Sequence, residues 1–300
     1  MQHEIPYRKL GKTGEMVSII GLGGFHIGLI RDHGNAINLI RRAIDSGINF
    51  MDNCWDYHQG ESERIMGEAL KKGYRNKVFL MTKIDGRTKN AAKKQIDQSL
   101  SRLQVEHIDL LQLHEVIRMD DPDLAFSPGG AMDAIVEARD TGKIRFIGFT
   151  GHKNPAIHLK MLEQDFEWDT VQMPLNVLDV HYESFQKKVL PILNERNIGC
   201  IGMKPFAAGE LFDTHTVTAT EALHYVMSLP VSVIVTGLQN QHDLDQAIQA
   251  ATTFVRLSDA EIDTILEKTA PIGKSGVFEP YKTTIAYDST TIHPEWLSAA

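Results

Sequence analysis

The sequence predicts an α/β fold, a (β/α)8 TIM barrel preceded by an N-terminal β-hairpin, and three observations carry that prediction. Eight short apolar runs of β type recur along the chain at intervals of about 30 residues. Nearly every interval holds an amphipathic helical stretch. Gly47, Gly73, Gly142 and Gly199 each stand between a helical stretch and the next strand, where a left-handed cap residue is favoured. Eight right-handed βα units closing on themselves make such a barrel.

Taken in order, Tyr7-Arg8-Lys9-Leu10 and Met16-Val17-Ser18 read as two short strands around Gly11-Lys12-Thr13-Gly14, a hairpin placed to close one end of the barrel. The barrel strands are expected at 18–22, 48–51, 78–82, 108–113, 144–149, 170–173, 199–203 and 232–235. The helices between and after them are expected at 36–46, 62–71, 90–104, 130–140, 155–164, 182–196, 219–227 and 243–251. A doubly wound dinucleotide fold would have to rest on Gly21-Leu22-Gly23-Gly24, but His26 stands where G-x-G-x-x-G needs its third glycine. Those glycines are better explained as a strand end turning tightly beside a ligand. No linker divides the chain, so residues 1–300 read as one domain, with the hairpin at 1–17 and a tail at 271–300 near the site.

Hydrophobic residues at 42% and charged residues at 23% are ordinary globular values. No apolar run approaches the roughly 20 residues of a membrane span, and the first residues have no signal-peptide character, so a cytoplasmic protein is expected. Thirty-nine acidic against 31 basic residues give −8, with no basic cluster to grip a phosphate backbone, which argues against nucleic acid as a partner. Cys54 and Cys200 form no C-x-x-C, so neither a disulfide framework nor a metal site is expected. The oligomeric state is not legible.

Residues just after barrel strands face the site of such a fold. The second strand ends at Asp52, with Tyr57 in the following loop, the third ends at Lys83 and the fourth at His114. Asp52, Lys83 and His114 are spaced 31 residues apart, one βα unit each, so they stand on neighbouring strands at one face. Singly, each has a bland explanation: a capping aspartate, a snorkelling lysine, a satisfied core histidine. Jointly they resemble an acid/base constellation, in which Lys83 pairs with Asp52 and lowers the pKa of the Tyr57 phenol from its usual value near 10. Tyr57 is then a proton donor and His114 orients the receiving oxygen, an arrangement suited to carbonyl reduction.

The order, spacing and strand context of Asp52, Tyr57, Lys83 and His114 resemble the catalytic tetrad of the aldo/keto reductase superfamily. So do their surroundings: Gly60-x-Ser62-Glu63-x-x-x-Gly67-x-Ala69-Leu70, Thr82-Lys83, Asp109-Leu110-x-x-x-His114 and Gly142-Lys143-Ile144-Arg145-x-x-Gly148. The resemblance covers nearly the whole chain. It implies an NAD(P)H-dependent reductase of aldehydes or ketones with Tyr57 as proton donor, and a nicotinamide dinucleotide lying across the barrel mouth. Carried over residue by residue, the cofactor contacts implied are Gly24, Phe25, Asp52, Thr150, Gly151, Gln172, Met203, Lys204, Pro205, Phe206, Gly237, Leu238, Gln239 and Gln246.

Several positions depart from the family pattern. Gly151 stands where an asparagine is usual, and Met203 where an aromatic residue usually covers the nicotinamide. Lys204 is either a charge near the pyrophosphate or a solvated lysine. The loop 236–244 has no lysine or arginine for a 2′-phosphate, and Asp243 stands where an arginine is often found. NADP(H) is therefore the family default and NAD(H) the alternative opened by this loop. Phe25, Trp55, Phe126, Phe278, Tyr281, Tyr287 and Trp296 are expected to form an apolar wall for a carbonyl substrate with an apolar or aromatic part. Two other readings compete: a non-catalytic or slow nicotinamide-binding regulatory subunit of the same fold, and a metal hydrolase built from Asp52, His114, His152 and His181.

Overall fold

A computed structural model describes residues 4–298. A two-stranded antiparallel hairpin, β1 (Tyr7–Lys9) and β2 (Met16–Ser18), precedes eight parallel strands. These are β3 (Ile20–Gly23), β4 (Phe50–Asp52), β5 (Phe79–Ile84), β6 (Ile108–Leu113), β7 (Ile144–Thr150), β8 (Thr170–Pro174), β9 (Gly199–Met203) and β10 (Val233–Gly237). They close into a barrel in sequence order, β10 returning to β3 with Ile234 opposite Ile20. The hairpin seals the amino end: Leu10 and Val17 are fully buried against Phe50, Phe79, Met81, Leu110, Ile201 and Val233 inside the barrel. The larger apolar cluster lies between the strands and their outer helices. Among the described residues, no helix is long and apolar enough to cross a membrane.

The local signals act where expected at Gly47, Gly73 and Gly142, which take φ of 98°, 86° and 77°. Gly199 is different. The left-handed residue there is Asn197 (φ 51°), and Gly199 is a glycine because a Cβ would lie 2.9 Å from the Leu10 side chain of the plug. The run expected at 18–22 divides between β2 and β3, because Ile19 turns the chain from the hairpin into the barrel, its N–H donating to Pro6 O. The helix expected over 182–196 is two pieces, Phe185–Lys188 and Leu190–Glu195. Pro191 lacks an N–H and its ring crowds the carbonyl four residues back, so the helix restarts there. A further helix, Asp259–Gly273, opens on a capping box of Ser258 and Glu261, an S-x-x-E signal that the strand rhythm overshadowed.

The tail crosses the carboxyl end of the barrel and is tied down by buried charge. Lys282 Nζ is 2.8 Å from Asp179 Oδ1 and 2.9 Å from Glu279 Oε2, with all three side chains buried. It also donates to Tyr182 O at 2.8 Å. Tyr281 OH donates to Glu279 and accepts from Asn176 Nδ2. Further on, Thr290 N donates to Glu115 Oε1 at 2.8 Å, Asp288 meets His152 at 3.1 Å and Lys153 at 2.7 Å, and Leu297 O accepts from Arg87 N.

Two unfolding experiments test these closures. Leu10→Ala removes the plug's buried side chain and is expected to cost about 2–5 kcal/mol by denaturant unfolding. Lys282→Met leaves two buried carboxylates uncompensated and is expected to cost about 3–5 kcal/mol, with early proteolysis in the tail.

Candidate active site

Asp52 is the last residue of β4, Lys83 lies near the end of β5, and His114 directly follows β6. Tyr57 comes from a tight loop in which His58 (φ 51°) and Gln59 (φ 57°) are left-handed. Ser62 and Glu63 hold that loop from beneath rather than lining the mouth. Ser62 Oγ donates to Gly24 O at 2.6 Å, and Glu63 accepts from Thr82 Oγ1 at 2.7 Å and pairs with Arg102 at 3.2 Å.

The four side chains converge. The Lys83 ammonium, 1% exposed, is ion-paired with Asp52 Oδ1, donates to Asn53 O at 2.8 Å and reaches Tyr57 OH at 3.3 Å. Gln172 Nε2 donates to the other Asp52 oxygen at 3.0 Å. The His114 ring stands perpendicular to that of Tyr57, centroids 6.2 Å apart. Its Nδ1 lies 2.8 Å from Asp85 Oδ1 and 3.4 Å from Cys54 Sγ. The expected direction of the Tyr57 shift is corrected. Burial first, and the Asp52 carboxylate second, hold its pKa well above 10, because Asp52 occupies the lysine's charge and little water reaches the phenol. Burial likewise lowers the His114 pKa and favours neutral imidazole.

The residues implied for the cofactor divide into groups. Thr150 and Gln172 are register partners on β7 and β8, and Gln172 Oε1 is buried and, among the described residues, without a hydrogen-bond partner. Because Asp52 requires a donor, the amide orientation is fixed and this orphan is an acceptor. Such an acceptor beside the Thr150 hydroxyl fits a carboxamide. Gly151 is a close-approach glycine, since a Cβ there would lie 2.2 Å from Val116 O. Gly24 is equally tight, 2.7 Å from Asp52 O, and Phe25, 46% exposed, meets Tyr57 edge-on at 5.4 Å. Met203 Sδ stands 4.0 Å from Thr150 Oγ1.

Lys204 is half-buried against the tail rather than turned out into solvent. Its backbone is left-handed (φ 55°), its Nζ lies 5.2 Å from the rings of both Tyr281 and Tyr287, and burial lowers its pKa to about 8. Pro205 is buried, and Phe206 is occupied with Phe212 at 5.0 Å. Leu238 places its side chain in the core, leaving its backbone for any ligand. Gln239 is exposed and donates its N–H to Asp243 Oδ2 at 3.0 Å, while Gln246 is half-buried on the helix Gln241–Thr252. His26, which sequence reasoning noticed only as a missing glycine, covers Gly237: a Cβ there would lie 2.2 Å from its Nδ1.

The apolar wall is largely overturned. The segment 117–129 folds into a helix, Asp121–Phe126, that turns Phe126 outward against Phe166 and Trp168 at 6.1 and 6.0 Å. Trp55 donates to Gln98 at 2.7 Å and packs on Arg102 and Trp296 at 5.4 and 5.6 Å, beside the helix Lys89–Leu103. Phe278 joins the core, and Trp296 stacks on His293. Polar groups take their place at the strand ends: Glu115, His152 and Lys204, facing Asp288, Ser289 and Thr290 of the tail. The hydrolase quartet is not assembled, because His181 bonds to Thr269, His152 to Asp288 and Asp52 to Lys83.

Residues 19–220 match the model of the aldo/keto reductase family. The chain is 28% identical over 247 residues to aldo-keto reductase AMT2 of Alternaria alternata, spanning 68% of this chain and 66% of that protein. It is 31% identical over 229 residues to L-galactose dehydrogenase of Arabidopsis thaliana, spanning 69% and 67%. Among solved structures, the holo form of aldo-keto reductase AKR11C1 from Bacillus halodurans superposes with a TM-score of 0.75 at 23% identity, over 88% of this chain and 96% of that one. With two thirds of its length matched by the family model, and the same barrel in a solved relative, this chain belongs to the aldo/keto reductase family.

Proposed function

We propose that the protein is a nicotinamide-dependent reductase of carbonyl compounds, with Tyr57 as proton donor and Lys83, Asp52 and His114 supporting it. The observation that carries this reading is the buried chain Asp52–Lys83–Tyr57, in which one ammonium is held by a carboxylate and a carbonyl and extends to the phenol at 3.3 Å. A bound reduced nicotinamide supplies the hydride. The protein's own part is the proton. Burial keeps Tyr57 protonated until a strongly basic alkoxide oxygen stands beside it, and the Lys83 charge then stabilises the phenolate left behind. His114, whose Nδ1 is held from below, has Nε2 left to meet the substrate oxygen. Thr150 and the orphaned Gln172 Oε1 are the groups suited to the carboxamide.

NAD(H) is the cofactor we favour. Asp243 Oδ2 accepts from Gln239 N at 3.0 Å and Asn240 Nδ2 at 3.1 Å, at the start of the helix Gln241–Thr252. A carboxylate already occupies the anion-friendly helix end, where it suits a ribose 2′-hydroxyl and repels a 2′-phosphate. For the substrate, the polar groups at the strand ends favour a hydroxylated carbonyl compound over an aromatic one, in keeping with a relative named L-galactose dehydrogenase.

Three measurements check the proposal. Tyr57→Phe is expected to keep NADH binding by fluorescence titration and to lose at least about 100-fold in carbonyl turnover; near-normal turnover refutes the assignment. Gln172→Ala is expected to weaken cofactor binding more than kcat. NADH is expected to exceed NADPH in kcat/KM by more than about tenfold, ~1.4 kcal/mol, and Asp243→Arg to narrow or invert that ratio.

A further inference from the structure

Around His114 Nδ1, a thiol, two carboxylates and the imidazole itself meet. They are the Cys54 thiol, the Asp56 and Asp85 carboxylates and His114 Nδ1, whose ligand atoms all lie within 4.8 Å of one another. The Cys54 and Asp85 side chains are fully buried, Asp56 is 8% exposed and His114 11%. From Nδ1 the separations are 2.8 Å to Asp85 Oδ1, 3.4 Å to Cys54 Sγ and 4.0 Å to Asp56 Oδ1. A tetrahedral zinc-class ion with bonds of about 2.0–2.3 Å spaces its donors by roughly 3.3–3.7 Å, so this spread brackets such a site.

A hydrogen bond from Nδ1 to Asp85 accounts for one carboxylate oxygen. It leaves Asp85 Oδ2 and Asp56 Oδ1 buried and, among the described residues, without a hydrogen-bond partner. The neighbouring cations act on these oxygens only through space, their own hydrogen bonds going elsewhere. Lys83 is paired with Asp52, and Arg87 with Asp121 at 3.0 Å, while the remaining Arg87 N–H groups go to the backbone oxygens of Asp85, His114 and Glu115. Two buried carboxyl oxygens without hydrogen bonds, beside a thiol and an imidazole, call for a cation or a proton between them.

We propose that Cys54 Sγ, Asp56, Asp85 and His114 Nδ1 form a binding site for one divalent transition-metal ion of the zinc class. Binding forms a metal–sulfur bond as the thiol proton leaves to solvent, and the proton between Nδ1 and Asp85 gives way to the metal, the neutral imidazole carrying its one proton on Nε2. Ligation through Nδ1 fixes the imidazole as its Nε2–H tautomer, so His114 presents a donor to the mouth. The metal is thus a positioning device for His114, and its presence is measurable without turnover, independently of the reductase reading.

The test uses Co²⁺ as the probe on chelator-stripped full-length protein, with zinc content of the protein as purified measured by elemental analysis. Expected are one Co²⁺ per chain and a thiolate-to-cobalt charge-transfer band. The band disappears in Cys54→Ser, Asp85→Asn weakens uptake by about 100-fold, and Cys200→Ser, remote from the cluster, leaves both unchanged. Tyr57→Phe binds Co²⁺ as the wild type does, whatever its turnover. Uptake below about a tenth of an equivalent by wild-type protein, or a charge-transfer band that survives Cys54→Ser, overturns the proposal and leaves protons as the neutralising charge. If Cys54→Ser fails to fold by circular dichroism, the wild-type titration decides alone.

Discussion

The buried pair of Lys83 and Asp52 is the constraint around which the carboxyl end of this barrel is built. Taking an ammonium and a carboxylate out of water is costly, and the pair persists because every remaining valence is answered. Asn53 O and Tyr57 OH take the other ammonium protons, and Gln172 donates to the second carboxylate oxygen. The arrangement uses β4, β5 and β8 together, so it exists only in the closed barrel. It also orders what lies beyond it: the Gln172 amide is turned by Asp52, which aims its carbonyl oxygen as an orphaned acceptor.

Both ends of the barrel are closed by segments outside the βα repeat, and by opposite means. At the amino end the hairpin inserts apolar Leu10 and Val17, a plug that packs directly on Gly199. At the carboxyl end the tail is fastened by Lys282 between Asp179 and Glu279, and by Glu115, His152 and Lys153 to residues 288–290. An apolar plug needs only shape. A polar strap can be exchanged for water or for a ligand's hydroxyl groups, which is what the functional end of such a barrel requires.

The crowding beneath His114 shows the same economy of position. Cys54 and Asp56 flank the loop that delivers Tyr57, and Asp85 follows Lys83 by two residues. Side chains that share strand ends with the tetrad therefore gather behind the imidazole without any extra element. The carboxylates there differ from the Asp52 carboxylate in that, among the described residues, no lysine or arginine pairs with them.

Sequence by itself determined the architecture and the placing of Asp52, Lys83 and His114 at neighbouring strand ends, because both are periodic. Strand runs, helical stretches and the 31-residue steps of Asp52, Lys83 and His114 are written in linear spacing, and a parallel barrel converts equal spacing into adjacent strand ends. Even the missed helix at Asp259–Gly273 had its capping box in view. Tertiary structure alone decided the direction in which the Tyr57 pKa moves, the outward turn of Phe126 and Trp55, the enclosure of Lys204 by two tyrosines, and the meeting of Cys54 with Asp85. Each depends on burial or on contacts between segments far apart in the chain, and neither desolvation nor the aim of a side chain in a non-repeating loop leaves a periodic trace in the sequence.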